Sequence, residues 1–457
     1  IRTLPMTELT YFKQTRNIDL YYLTNNFVTI GKYNAVFNHY TPSMQNMVYN
    51  GNNFAITNVK ILERSSDMVE QETVSLFESA YSVSNLALDI QIQLIYPEVS
   101  HKYVGGIVGY VDDYVDNTQV TSTKTFLTNC IANVNITIQE NNGQPVEVQY
   151  VGGLVGKTGR NNHISNSVAL GIIDDSVISS NTLKVGYGGL SGEGGMFDRT
   201  NYSLVSIKTK TFENNDAISN NAQSNVAFYD ENISLQTSVL GRNIQTSQWL
   251  TNSYNGLYVL SNKYTYSASN YPLQTSFLSN LKVLEMLGYS QDSLNGSGTM
   301  FSPVQISDAN SLQNLQNLTN ANYYVLMNDI VINLPNNVDG MGAIETNSSI
   351  TVKPNTFVNG NYHSITSYSN SSIFNKLDNV TISGLTAQNK LENTYSQKLN
   401  SILVENEESS VLYNVNIVEN TTHRYNNVYI KNKTNNSGLA IDYALSSILN
   451  KITVTVN

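Results

Sequence analysis

The sequence predicts an all-β protein: two right-handed parallel β-solenoids joined by an aromatic-rich cap and linker. Three observations carry that expectation. Only 13% of the 457 residues are charged, 30 are Tyr, and Asn, Ser, Thr and Val are frequent. Soluble proteins average about a quarter charged residues, and this mixture favours strands and turns over helices. A glycine-rich segment recurs, and so does an Asn-centred hexad held in one frame.

The glycine segment reads "VGGIVGYV" (104–111), "VGGLVGKT" (151–158) and, more loosely, "VGYGGLSG" (185–192). It is not a phosphate loop. In a GxxxxGK[ST] pattern ending at Lys157-Thr158 the first glycine would have to stand at Val151, and no helix-forming run follows. Gly105, Gly106 and Gly109, with Gly152, Gly153 and Gly156, are instead expected at corners. There a chain turns with positive φ or passes close to a neighbouring coil. Ile107 and Leu154 then face the core.

The hexad reads "ITNVKI" (56–61), "VSNLAL" (83–88), "LDNVTI" (377–382) and "LYNVNI" (412–417), with looser copies "LTNCIA" (127–132), "ISNSVA" (164–169) and "ILNKIT" (448–453). It alternates with period 2 around one fixed amide. Stacked rungs would align Asn58, Asn85, Asn129 and Asn166 in the first half, and Asn379, Asn414 and Asn450 in the second. Each amide would donate to one neighbour and accept from the other.

A larger duplication sets the boundaries. "LTYFKQTRNIDLYYLTNNFVTI" (9–30) precedes "YNGNNFAITNVKI" (49–61), as "LQNLQNLTNANYYVLMNDIVI" (312–332) precedes "VNGNYHSIT" (358–366). Asn50 corresponds to Asn359, an offset of 359 − 50 = 309 residues. The expected first solenoid is 1–230. The cap and linker is 231–302, with Trp249 and a short helix within "FLSNLKVLEML" (277–287). The second solenoid is 303–457. Its closing "NKITVTVN" (450–457) alternates like a buried rung, so further chain or another subunit is expected to cover it.

The "GGLVG" rungs, the Tyr-Tyr-Leu run before them and the "NGNYHSI" turn resemble the GLUG-motif β-helix region of bacterial surface proteins. That region also occurs in accessory parts of IgA-specific metallopeptidases. The resemblance covers most of 1–230 and 303–457. It weakens in the second half, where "SSIFNK" (371–376), "NSILVE" (400–405) and "NSGLAI" (436–441) replace "GGLVG". It implies a β-helix in an extracellular or cell-surface protein, and no chemistry of its own.

The remaining motifs argue against catalysis. None of His39, His101, His163, His363 and His423 is followed by Glu, so the HExxH peptidase motif is absent, as is a GxSxG elbow. Cys130 has no disulfide partner and falls at an inward frame position. Adjacent carboxylates such as Asp112-Asp113 or Asp174-Asp175 point to opposite faces of a strand. A glycosidase pair needs two carboxylates about 5–10 Å apart across a sugar. Asp112-Asp113, with Asp116 nearby, could sit in a calcium-binding loop. No catalytic residue, cofactor or catalytic metal is expected. A net charge of −10 without a basic stripe argues against nucleic acid. No apolar run is long enough to span a membrane. The expected function is a non-catalytic extracellular surface protein: an adhesin, stalk, coat or filament component. Its partners would be a host or environmental glycan or protein, or further copies in a fibre. The alternatives are a glycan-binding or glycan-degrading β-helix protein, and a virion fibre or tail spike.

Overall fold

Strands dominate the computed structural model of the chain, and its helices are few and short, as the composition predicts. It describes residues 8–23, 27–31, 46–64, 73–96, 101–111, 124–140, 148–176, 186–209, 215–251, 263–290, 296–332, 349–368, 371–390, 402–419, 441–445 and 447–456. The chain forms two units. The first comprises Ile1–Ile244, Asn252–Ser267 and Tyr271–Tyr289, and the second comprises Gln245–Thr251, Ala268–Asn270 and Ser290–Asn457. The stretch 231–302 is thus shared between the units and makes no third body.

In the first unit the long strands Met47–Arg64, Ser82–Tyr96, Ile131–Glu140, Val168–Asp174 and Tyr202–Lys208 lie side by side in parallel. Their period-2 pattern puts alternate residues inside. Ile92, Ile136, Ile173 and Ile207 are register partners in turn, and all four are buried. Each such side chain contributes about 2–3 kcal/mol by leaving water, but only because the next strand covers it. Two further parallel sheets belong to this unit. One contains His101–Gly105, Val148–Gly152 and Gly186–Gly188, and the other Val108–Val111, Val155–Thr158 and Ser191–Glu193. One apolar cluster fills the space between the sheets, with Ile107, Leu154 and Leu190 among its members.

Two parts of the 231–302 stretch serve this unit differently. Asp230 caps the short helix Glu231–Ser234, and Thr237 and Asp216 then tie the following loop to the last strands, through Ala217 N–H to Thr237 O and Val239 N–H to Asp216. This piece closes an end of the sheets. Residues 271–289 run back along the strands instead. Gln274 Nε2 donates to the carbonyls of Cys130 and Asn166, and Asn280 Nδ2 donates to the Asn53 carbonyl. The expected helix is there as Leu281–Leu287, started by an Asn280 cap and stopped by Gly288 in the left-handed region.

The second unit is also parallel throughout. One sheet runs Val304–Ile306, Tyr323–Leu326, Phe357–Asn359, Thr381–Ser383, Val411–Tyr413 and Ile448–Asn450. A second runs Ile330–Ile332, Ser364–Ser367, Thr386–Asn389, Asn416–Glu419 and Thr453–Val456, and a third Phe374–Asp378, Val404–Glu408 and Ile441–Leu445. Val358, Ile382 and Leu412 are register partners inside the core. Ile452 and Val454 pack against its edge.

Candidate functional site

The recurring asparagines divide into those that stack and those that do not. Asn129 and Asn166 bend the backbone between a short strand and the long strand after it, and Asn85 makes the same bend near the start of the strand Ser82–Tyr96, at φ of 51°, 46° and 52° respectively. Among residues with a Cβ, Asn tolerates this left-handed region best. Their amides form a ladder. Asn166 Nδ2 donates to Asn129 Oδ1 at 2.7 Å, Asn129 Nδ2 to Asn85 Oδ1 at 2.8 Å, and Asn85 Nδ2 to Asn50 Oδ1 at 3.0 Å. At the far end Thr200 takes over, its Oγ1 accepting the Asn166 backbone N–H. Ser276 reaches the Asn129 amide from the side.

Asn58 is not in this ladder, contrary to the sequence expectation. Asn50-Gly51-Asn52-Asn53 inserts extra residues opposite Asn85, so the column passes through Asn50 instead. Asn58 lies five residues beyond that turn, in a bulge where Thr57 and Asn58 together face Asp89. Its Nδ2 donates to Asp19, and its backbone N–H to Asp89.

The second unit corrects the alignment further. Its counterpart of the Asn50 turn is Asn359-Gly360-Asn361: Asn359 Oδ1 accepts from Asn361 N–H at 2.8 Å, as Asn50 Oδ1 accepts from Asn52 N–H at 2.8 Å. Register carries Gly360 onto Gly384, then Asn414, then Lys451, because Asn359, Ser383, Tyr413 and Asn450 are successive partners. Gly384, Asn414 and Lys451 have φ of 58°, 53° and 53°. Asn379 belongs to a different corner, with Asn355 and Ser409; its Nδ2 donates to Asn355 Oδ1 at 2.6 Å. Asn450 is a strand residue one position before the turn. "LDNVTI" and "LYNVNI" therefore occupy different corners, shifted by five residues.

The corner glycines act through close approach. None of Gly105, Gly106, Gly109, Gly152, Gly153 and Gly156 has a positive φ. A Cβ on Gly106 would lie 2.4 Å from the Gly153 carbonyl oxygen, and one on Gly153 would lie 2.3 Å from that of Gly189. Either would collide with the backbone of the next strand.

The same repeat builds the candidate site, on its outward face. Tyr103 and Tyr150 stand two residues before Gly105 and Gly152 and are register partners. Tyr110 and Lys157 are partners on the adjacent sheet, and Lys157 is in turn partnered by Glu193. The Tyr103 ring stacks on Tyr110 at 4.6 Å between centres and 17° between planes, and on Tyr150 at 6.2 Å and 5°. Lys157 Nζ lies 4.8 Å from the Tyr150 ring centre and 2.9 Å from Glu193 Oε2. All five residues remain partly exposed. Burial works to lower the Lys157 pKa, but the hydrogen bond and charge of Glu193 outweigh it, so the ammonium is held above the ordinary lysine value. Burial, then the hydrogen bond to Glu193, raises the Tyr150 hydroxyl. The face thus carries three stacked phenol rings beside a closed ion pair. On the next strand Gly186 takes the place of a third tyrosine, and the Tyr150 ring leans over it. Reading the "GGLVG" repeat two residues upstream, as "YVGG", finds Tyr103 and Tyr150. Glu193 is visible only through register.

The other candidates sit apart. Cys130 is wholly buried, and that burial pushes its thiol up to about 12. Asp175 is buried and accepts from Tyr187 and Thr209, whereas Asp174 accepts from Ser176 on the outside. His163 and His363 lie 3.5 Å from Asp198 and Asp329 respectively. Asp112, Asp113, Asp116, His39 and His423 lie outside the described residues. Among the described residues no group of three His, Cys, Asp or Glu is placed to hold a metal ion, and no helix is long and apolar enough to cross a membrane. No family model, no curated protein and no solved structure matches the chain.

Proposed function

We propose that each unit is a right-handed parallel β-solenoid, and that the protein is a non-catalytic extracellular surface protein of the GLUG-motif kind: an adhesin, stalk or coat component. The supporting observation is that residues recurring in the sequence are neighbours across adjacent strands. Asn85, Asn129 and Asn166 hydrogen-bond in series, and Gly106, Gly153 and Gly189 face one another's backbone. One repeat then makes one coil, and stacking coils buries the aliphatic columns. The repeated side chains are occupied in holding backbone to backbone, which is the work of a rigid scaffold.

Labelling of intact cells that express the protein from its own gene tests the location. An antibody should bind before lysis, and binding only after lysis overturns the surface reading. Incubating the purified chain with a broad set of polysaccharides and peptides tests the non-catalytic reading. No sugar or peptide should be released, and any enzymatic release overturns it.

A further inference from the structure

We infer that the outward row of Tyr110, Tyr103 and Tyr150, with the Lys157–Glu193 pair at its edge, is a binding platform for a neutral hexose-containing glycan. The inference deepens the reading of the chain as a non-catalytic binding scaffold.

The argument starts from what a parallel sheet face needs. A solvated face is stable with small polar residues, and nothing in the backbone requires three stacked rings there. Aromatic pairs do stabilise a sheet beyond their burial. That accounts for Tyr103 on Tyr150 within one column. It does not account for Tyr110, which comes from the adjacent sheet and extends the row sideways. Two sheets therefore contribute to one continuous aromatic surface.

The polar groups beside the rings fit a polyol. A pyranose presents a face of C–H groups and a rim of hydroxyls. Ring faces and edges suit the first, and charged donors and acceptors suit the second. Lys157 offers N–H donors and Glu193 a carboxylate acceptor, 2.9 Å apart, so vicinal hydroxyls can bridge them. The two side chains are 32% and 19% exposed, enough to be reached and enclosed enough to be fixed. Lys157 lies over the Tyr150 ring and pairs with Glu193, so the constellation is organised before a ligand arrives. Because the ion pair is closed, the face carries no net charge. It therefore suits neutral sugars better than uronic or sulfated ones, whose charge would have to compete with Glu193.

The test is a glycan array carrying neutral hexose, uronic-acid and sulfated oligosaccharides, probed with the whole purified chain and followed by calorimetric titration of the best ligand. Neutral hexose oligosaccharides should bind. The double variant Tyr103→Ala/Tyr150→Ala should weaken binding at least tenfold, while Tyr103→Phe/Tyr150→Phe, which keeps the ring faces, should lose much less. Glu193→Gln should also weaken binding, and the melting profile of each variant checks that the sheet persists. Three results overturn the inference: no neutral glycan binds, only acidic glycans bind, or the alanine double variant binds as well as the parent while folded. None of these bears on the surface location, which the cell-labelling experiment decides separately.

Discussion

The two units use one plan with different parts. In the first, a left-handed bend is filled by Asn85, Asn129 and Asn166, whose amides bond in series. In the second, the same turn is filled by Gly384, Asn414 and Lys451, at nearly the same φ. The residue before the buried aliphatic differs likewise: Gly106 and Gly153 in the first unit, the buried Ser372 before Ile373 in the second. What each rung must preserve is a conformation and a clearance. Residue type is free wherever another side chain meets that condition, and in the first unit this turn also carries a hydrogen-bonded column of amides.

The units also differ in how they bury carboxylates, and the largest expected effect follows from this. In the first unit Asp216 accepts from the backbone N–H groups of Ile218, Ser219 and Val239. In the second, Glu407 is fully buried in register with the core residue Leu377. Burial pushes its pKa from 4.5 up to about 7, with Ser447 as a small opposing influence. Folded pKa exceeds unfolded pKa, so the stabilisation is complete below about 4.5, falls as pH rises and is lost above about 7. At about 1.4 kcal/mol per unit the swing is about 3 kcal/mol. The substitution Glu407→Leu should therefore stabilise the second unit by about that amount at pH 8 and hardly at pH 4. Trp249, the single Trp, is buried in that unit, so its fluorescence in urea titrations at the two pH values reads the effect. Equal stabilisation at both pH values would remove the ionisation argument.

A second test attacks the clearance half of the comparison. Gly153→Ala places a Cβ 2.3 Å from the Gly189 carbonyl oxygen and 2.7 Å from Ala169 Cβ. Overpacking against backbone should cost about 2–3 kcal/mol. Ser372→Ala, at the corresponding corner of the second unit, should cost well under half of that. Calorimetric melting of the two variants compares them directly, and equal losses would mean that the corners do not differ.

Third is the column itself. Asn129→Ala removes the central amide of the ladder, leaving Asn85 Oδ1 and Asn166 Nδ2 without their partner, and also places Ala in a left-handed turn. The expected loss is about 1–2 kcal/mol. Hydrogen exchange should show it as weaker protection in the strands Lys124–Thr128 and Asn162–Ser165. Unchanged protection would mean that the ladder is ornamental.

How much of this was legible in the sequence depended on register. Parallel strands and aliphatic columns follow from period-2 alternation, and Asn85, Asn129 and Asn166 were legible because one frame fits all three. Asn58 was misplaced because the turn at 50–53 carries extra residues that no hexad reveals. Asn379 was misplaced because two kinds of corner in the second unit share the apolar-any-Asn pattern, and Asn450 because its hexad runs one residue ahead of the turn; only pairing shows either. The same holds for the tyrosine face. Two of its rings are written beside the glycines, but Lys157 and Glu193 meet only when the strands are laid side by side.

The smallest expected effect tests whether the first unit's solution can be moved into the second. Lys451 holds φ 53° next to Asn414 in the register column. A residue with a full side chain spends about 1–2 kcal/mol in that region, and Asn less. Lys451→Asn relieves part of this cost and puts a second amide beside Asn414, where a new hydrogen bond would contribute about 1 kcal/mol. Against it stands the loss of Lys451 itself, whose Nζ donates to the Tyr413 hydroxyl at 2.7 Å and lies 4.8 Å from that ring centre. Such an exposed cation–π contact is worth about 0.5–1 kcal/mol. With about 1 kcal/mol also subtracted for the lost hydrogen bond to Tyr413, the sum leaves Asn within about 0.5 kcal/mol of the parent, read as a urea midpoint of the Trp249 transition that hardly moves. Lys451→Ala should fall below the parent, since it forfeits the tyrosine contact and keeps the backbone strain. If Asn proves no better than Ala, the left-handed turn is not what selects asparagine at these corners, and the ladder of the first unit must be explained by its amide bonds alone.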